Sequence, residues 1–221
     1  MQWNLPNILT VLRLLAAPGV AVMFLYFHRP WADWFALALF VGAAITDYFD
    51  GYLARLWKQE SKFGAMMDPI ADKAMVVIAI MVLTGYSGMN PWLILPATII
   101  LFREVFVSGL REFLGAKAGA LPVTKLAKWK TTAQMVAIAV LFLGTGLEYL
   151  NGVAMQGMTT EQYTEAVSAG LADPIRACGK RDCASVVWDA GLVLMWIAAI
   201  LTAITGLDYF NKSRPYLKDT P

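Results

Sequence analysis

The chain has 221 residues, 58% hydrophobic and 15% charged, with 18 Lys and Arg against 16 Asp and Glu for a net charge of +2. Ordinary soluble domains run at roughly 45–50% apolar and about 25% charged residues. The apolar content excludes a disordered chain, and the near balance of charge excludes a polybasic nucleic-acid binder.

A helix crossing about 30 Å of hydrocarbon needs roughly 20 mostly apolar residues. Six stretches qualify in chain order: Ile8–Phe27, Phe35–Leu56, Pro69–Tyr86, Trp92–Leu114, Thr131–Leu150 and Val186–Phe210. No Lys or Arg precedes the first run and no small-residue cleavage pattern follows it, so it reads as a retained span rather than a signal peptide. Turn residues separate the runs, at His28-Arg29-Pro30, at Tyr86 to Pro91 and at Leu121-Pro122. Trp31, Trp34, Trp57, Trp92, Trp129 and Trp188 fall near segment ends, where amphipathic rings favour the membrane interface. The expected fold is an all-α integral membrane domain over residues 1–221, a bundle of six transmembrane helices. A soluble helical protein is rejected, because six such runs leave no polar face for water.

Charge placement sets the expected topology. With a cytoplasmic N-terminus, six spans bring the C-terminus back to the same side. That side then holds Arg13, Arg55, Lys58, Lys62, Lys73, Arg103, Arg111, Lys117, Lys125, Lys128, Lys130, Lys212, Arg214 and Lys218. The far side holds Arg29, Arg176, Lys180 and Arg181. This asymmetry fits the positive-inside bias, and the inverted topology does not. The setting implied is a bacterial cytoplasmic membrane crossed several times. The long polar loop 151–185 is then periplasmic. Within it, Met158-Thr159-Thr160-Glu161-Gln162 is suited to cap a short helix through a Thr/Glu box. Cys178 and Cys183, the only cysteines, are equally compatible with a short-loop disulfide in an oxidising compartment and with two free thiols. Two cysteines without a nearby histidine cannot close a zinc site.

The chemistry gathers where the second and third runs meet. The residues are Asp47-Tyr48-Phe49-Asp50-Gly51-Tyr52-Leu53-Ala54-Arg55, then eight more, then Gly64-Ala65-Met66-Met67-Asp68-Pro69-Ile70-Ala71-Asp72. At about 100° per residue, Asp47 and Asp50 lie within roughly 60° on one helix face. Asp68 and Asp72 share a face of the next helix, with Pro69 suited to its first turn and Asp68 near its N-cap. An intervening turn lets the two pairs face each other. Four carboxylates at membrane depth require cations. Their hard oxygens suit Mg2+ or Mn2+, and two such ions about 3.5–4 Å apart clamp a phosphoryl group in transfer. Arg55 is placed to hold a phosphate bidentately. Gly51, Ala54 and Gly64 are small enough to let a flat base or a backbone approach.

The run resembles the signature of the CDP-alcohol phosphotransferases, D-x2-D-G-x2-A-R-x8-G-x3-D-x3-D. Asp47, Asp50, Gly51, Ala54, Arg55, Gly64, Asp68 and Asp72 meet it without departure. Residues 4–13, 103–111 and 128–134 further resemble the bacterial branch of that family that acts on glycerol phosphate. The likeness covers nearly the whole chain except loop 151–185, which is longer than that branch leads one to expect.

The resemblance implies transfer of the phosphatidyl group of CDP-diacylglycerol to sn-glycerol 3-phosphate, with release of CMP. It implies two Mg2+ or Mn2+ ions on Asp47, Asp50, Asp68 and Asp72, with Asp72 as general base. Gly51, Ala54 and Gly64 would line the nucleotide pocket, and Arg55 would contact the diphosphate. Asn7, Thr10 and Arg13 are candidates for the nucleotide or diphosphate, or else cap the first helix. Arg103, Arg111, Lys128 and Lys130 are candidates for the acceptor phosphate. The alternatives are an Arg103–Glu104 pair and ordinary positive-inside charge at Lys128 and Lys130. The active site would face the cytoplasm, and the resemblance suggests a homodimer. The shared motif leaves other acceptors open: serine, inositol phosphate or phosphatidylglycerol. A membrane prenyltransferase would need a second acidic motif and more spans. A divalent-cation transporter would need acids near mid-membrane on several helices.

Overall fold

The computed structural model describes residues 5–57, 61–115, 125–154, 156–170 and 182–217. Within these, the side chains of residues 48–57 and of Lys125 and Lys128 are among those outside the description. The described residues form seven α-helices and no strand: α1 (Leu5–Tyr26), α2 (Trp31–Trp57), α3 (Lys62–Tyr86), α4 (Pro91–Leu114), α5 (Lys125–Ala154), the short α6 (Thr160–Ser168) and α7 (Cys183–Ser213). A 3-10 turn, Arg214–Tyr216, follows α7.

Each of the six apolar runs lies in a long helix, and the helices extend past the runs. The clearest extension is α3. Its N-cap is Ser61, whose Oγ accepts the Gly64 N–H at 2.9 Å. Asp68 is therefore inside the helix rather than at its cap, and Pro69 lies well beyond the first turn. The expectation that Asp68 and Pro69 open this helix is corrected: a capping serine starts it earlier, through a stretch too polar to register as a span. Asn90 caps α4 ahead of Pro91, accepting from the Trp92 N–H at 3.0 Å, and Asp182 caps α7, accepting from the Ala184 N–H at 3.0 Å.

In the polar loop, α6 opens with a capping box. Thr159 Oγ1 accepts from the Gln162 N–H at 3.3 Å, and Gln162 Oε1 accepts from the Thr159 N–H at 2.9 Å. The box forms where expected, but glutamine rather than glutamate closes it. Cys183 is disulfide-bonded at the first residue of α7, while Cys178 lies outside the described residues.

Helix α1 lies against both α2 and α3; α5 lies against α7 and α2, and α4 against α7. Phe40, Met75, Ile80, Leu83, Ile100, Ile138, Phe142 and Met195 fill the centre, with alanines 17, 36, 79, 97, 198 and 199 letting the helices close on one another. At Gly191 a Cβ would lie 2.7 Å from Leu141 Cδ2, so α5 and α7 touch there through a bare backbone. Gly42 has no such neighbour among the described residues. Large apolar side chains also cover the outside: Leu15, Leu25, Phe102, Val105, Phe113, Val193 and Leu207 are all exposed. Four helices are long and apolar enough to cross a membrane among the described residues: Asn7–Tyr26, Pro91–Leu114, Trp129–Val153 and Cys183–Tyr216. An apolar exterior around an apolar core is what a bilayer, not water, accommodates.

Candidate active site

Helix α1 supplies the floor of the site. Asn7, Thr10 and Arg13 recur every three residues, lie on one face, and are all buried. Each meets a different part of the acidic motif. Asn7 Oδ1 accepts from Ser61 Oγ at 2.7 Å and so reaches the cap of α3. Thr10 Oγ1 donates to Asp68 Oδ1 at 2.7 Å. Arg13 Nη1 donates to Asp72 Oδ1 at 2.5 Å and to Asp47 Oδ1, while its Nη2 lies 3.8 Å from Asp68 Oδ1.

Three of the four motif aspartates thus converge from α2 and α3 on one guanidinium. The guanidinium side chain is 2% exposed, whereas those of Asp47, Asp68 and Asp72 are 46%, 45% and 51% exposed. The carboxylates therefore lean on a buried cation and remain about half exposed on their other side. Asp50, Gly51, Ala54 and Arg55 lie on α2 beyond Asp47, with side chains outside the description. Gly64 is buried, and a Cβ there would lie 2.8 Å from Asn7 Oδ1, so its bareness serves the approach of α1 to α3. Among the described residues no three acids, histidines or cysteines are grouped to hold a metal ion directly. The donor set itself fits one: it consists of hard carboxylate oxygens, and among the described residues one guanidinium faces three of them.

A second polar group lies between α3, α4 and α5. Glu104 accepts from Arg103 Nη1 at 3.3 Å and pairs with Lys130 Nζ. Lys73, next to Asp72, donates from Nζ to Ser108 Oγ at 2.5 Å. Arg103 lies against α7 at Gly206, where a Cβ would be 2.9 Å from Arg103 Cγ. Arg111 is exposed, its guanidinium 5.8 Å from the Tyr209 ring on the same helix. Arg103 and Arg111 therefore both face α7, as their spacing on α4 requires. Lys128 lies on α5, its side chain outside the description.

Two features escaped the sequence reading. One is Arg13 as the common partner of three aspartates. The other is Lys130 as a second partner of Glu104, whose pairing with Arg103 was among the alternatives the sequence offered and does form. A signal for the second was present, since a glutamate within an apolar run must find a cation.

The opposite end has its own paired arginine, partly buried. Arg29, between α1 and α2, donates from Nε and Nη2 to the two oxygens of Asp33, both at 2.8 Å. Its Nη1 donates to Tyr86 Oη at 2.7 Å and its Nη2 to the Thr145 carbonyl at 2.8 Å. Tyr86 Oη in turn donates to Glu148 Oε2 at 2.9 Å. Burial works against the Arg29 charge, but Asp33 and Tyr86 outweigh it and hold the guanidinium above its usual range.

The motif and the helices that present it define the class: the chain belongs to the CDP-alcohol phosphatidyltransferase family, whose model matches residues 3–204. Among individual relatives, it is 80% identical over 219 residues to the CDP-diacylglycerol–glycerol-3-phosphate 3-phosphatidyltransferase of Cereibacter sphaeroides, covering 99% of each chain. It is 38% identical over 216 residues to the protein of the same name from Rickettsia bellii, covering 96% of this chain and 97% of that one. The Shigella flexneri protein of that name is matched at 38% over 184 residues, which is its whole length and 78% of this chain.

Proposed function

We propose that this enzyme transfers the phosphatidyl group of CDP-diacylglycerol to sn-glycerol 3-phosphate, giving phosphatidylglycerophosphate and CMP in phospholipid biosynthesis. The observation that carries this reading is the unbroken acidic motif, together with 80% identity along the full length to a protein named for that reaction.

Asp47, Asp50, Asp68 and Asp72 would hold two Mg2+ or Mn2+ ions, which when bound neutralise the diphosphate and the charge developing on departing CMP. Asp72 takes the proton from the acceptor hydroxyl as that oxygen bonds to the phosphorus bearing diacylglycerol and the bridging P–O bond to CMP breaks. Gly51, Ala54 and Gly64 border the nucleotide. Arg55, Asn7, Thr10 and Arg13 serve its diphosphate, the last two from beneath the aspartates. Arg103, Arg111, Lys128 and Lys130 hold the acceptor phosphate. Support for this comes from Lys73, which bridges from beside Asp72 to α4, the helix that carries Arg103.

The chain acts as one membrane domain of six spans, α2 and α3 joining the four helices already named as long and apolar enough to cross, with its site and both termini at the cytoplasmic face. The concentration of Lys and Arg at that end supports this orientation. The family resemblance supports a homodimer.

An acceptor panel with radiolabelled CDP-diacylglycerol tests the reading. Label should pass to glycerol 3-phosphate and not to serine, inositol phosphate or phosphatidylglycerol; label on one of those instead overturns it. Arg103→Gln should raise the apparent KM for glycerol 3-phosphate more than that for CDP-diacylglycerol, and equal effects would remove the acceptor role.

A further inference from the structure

We infer that Arg13 is a positioning residue that couples metal uptake to nucleotide binding: its guanidinium holds the motif aspartates together and must release them for a divalent ion to bind. The inference rests on the reading that these aspartates are metal ligands.

The oxygens decide it. Asp72 Oδ1 and Asp47 Oδ1 both accept from the same atom, Arg13 Nη1. A divalent ion on those carboxylates needs oxygen donors at about 2.0–2.2 Å. A guanidinium at hydrogen-bond distance from the same oxygens would stand close to that ion, like charge against like. The repulsion cannot be relieved by deprotonation, because a guanidinium stays charged. Burial sharpens it, since Arg13 sits where water screens little.

Two changes would resolve the conflict. The guanidinium can turn away from Asp47 and Asp72, or an anion can arrive that binds the metal and the guanidinium together. A nucleoside diphosphate is such an anion, and its paired oxygens suit the guanidinium fork. Thr10 would keep Asp68 in place through the exchange, because its hydroxyl holds that carboxylate independently of Arg13. Metal and nucleotide should therefore bind cooperatively, each tightening the other by the same factor.

The full chain, purified in detergent, is titrated with Mn2+ and free ion is read by electron paramagnetic resonance, with and without cytidine 5′-diphosphate. A protein-free titration corrects for the ion that the nucleotide itself binds. In the unaltered protein the nucleotide should tighten Mn2+ binding about tenfold or more. Arg13→Gln should tighten nucleotide-free binding by a similar factor and reduce the nucleotide effect towards one, with Arg13→Lys between the two. A residue that only supported the fold would weaken Mn2+ binding when replaced. Unchanged or weaker nucleotide-free binding in Arg13→Gln, at native helical content, overturns the inference. Should that variant not fold, equal Mn2+ affinity with and without nucleotide in the unaltered protein overturns it. Asp68→Asn and Asp72→Asn together separate the two claims: Mn2+ binding that survives them removes the metal reading along with the inference. Binding lost in that pair but insensitive to Arg13 removes the inference alone.

Discussion

Two arginines, one at each end of the bundle, are held in opposite ways: Arg13 is buried and Arg29 is partly buried. Arg29 meets a single carboxylate, Asp33, which is 0% exposed, and completes its bonds with a tyrosine hydroxyl and a backbone carbonyl. The charges there cancel and the donors are matched, which is the condition for a buried pair to be tolerated. Arg13 meets three carboxylates that are each about half exposed. Among the described residues the charges there do not cancel, and the acids stay about half exposed. One end is a completed clasp joining the start of α2 to the ends of α3 and α5, and the other is a site that still calls for cations. A paired arginine alone does not mark function; the described surplus of acid around Arg13 sets it apart.

The sharpest break between the ends should come from Asp72→Asn. Loss of the proposed general base should cost on the order of 10²–10⁴-fold in rate, read as CMP release. Because removing a like charge relieves repulsion, thermal unfolding in detergent should occur at the same or a higher temperature. At the clasp the signs reverse. Arg29→Met leaves Asp33 buried without its cation, which should cost about 3–5 kcal/mol of stability, while KM for both substrates in surviving protein stays unchanged. Asp33→Asn added to that variant should recover part of the loss; no recovery would deny that the pair is the cause.

Smaller changes extend the contrast. Thr10→Val removes the hydroxyl that donates to Asp68, a hydrogen bond to a charged group worth about 1.5–3 kcal/mol. The loss should show in kcat more than in unfolding temperature. Tyr86→Phe removes the hydroxyl shared by Arg29 and Glu148, costing about 0.5–1.5 kcal/mol, and it should lower unfolding temperature slightly with kcat unaffected. A Tyr86→Phe variant that loses activity at full stability would collapse the distinction between the ends.

Much of this was legible in the sequence, for identifiable reasons. Each of the six apolar runs coincides closely with a long helix, because an apolar stretch must satisfy its backbone internally. The acidic motif was readable because its spacing follows the helical turn. The start of α3 was not, because Ser61 extends the helix through Lys62 and Gly64 ahead of the apolar run, and hydropathy does not register a cap. Nor was the partner of Arg13 readable. Asp47 lies 34 positions away and Asp72 lies 59, so the contact exists only once α1 is set against both α2 and α3. The pairing of Glu104 with Lys130, 26 positions apart on α4 and α5, has the same origin.

The placement of α1 also bears on how such a site can diversify. Every described contact around the motif aspartates comes from the first three helices, and α1 packs against no later helix as it does against α2 and α3. The cationic group assigned to the acceptor draws its charges mainly from α4 and α5 and packs against α7. On the proposed roles, donor chemistry and acceptor choice are written in successive stretches of one chain. Substitutions in the later stretch can change which alcohol is accepted while the phosphoryl-transfer machinery, assembled from residues synthesised earlier, stays as it is.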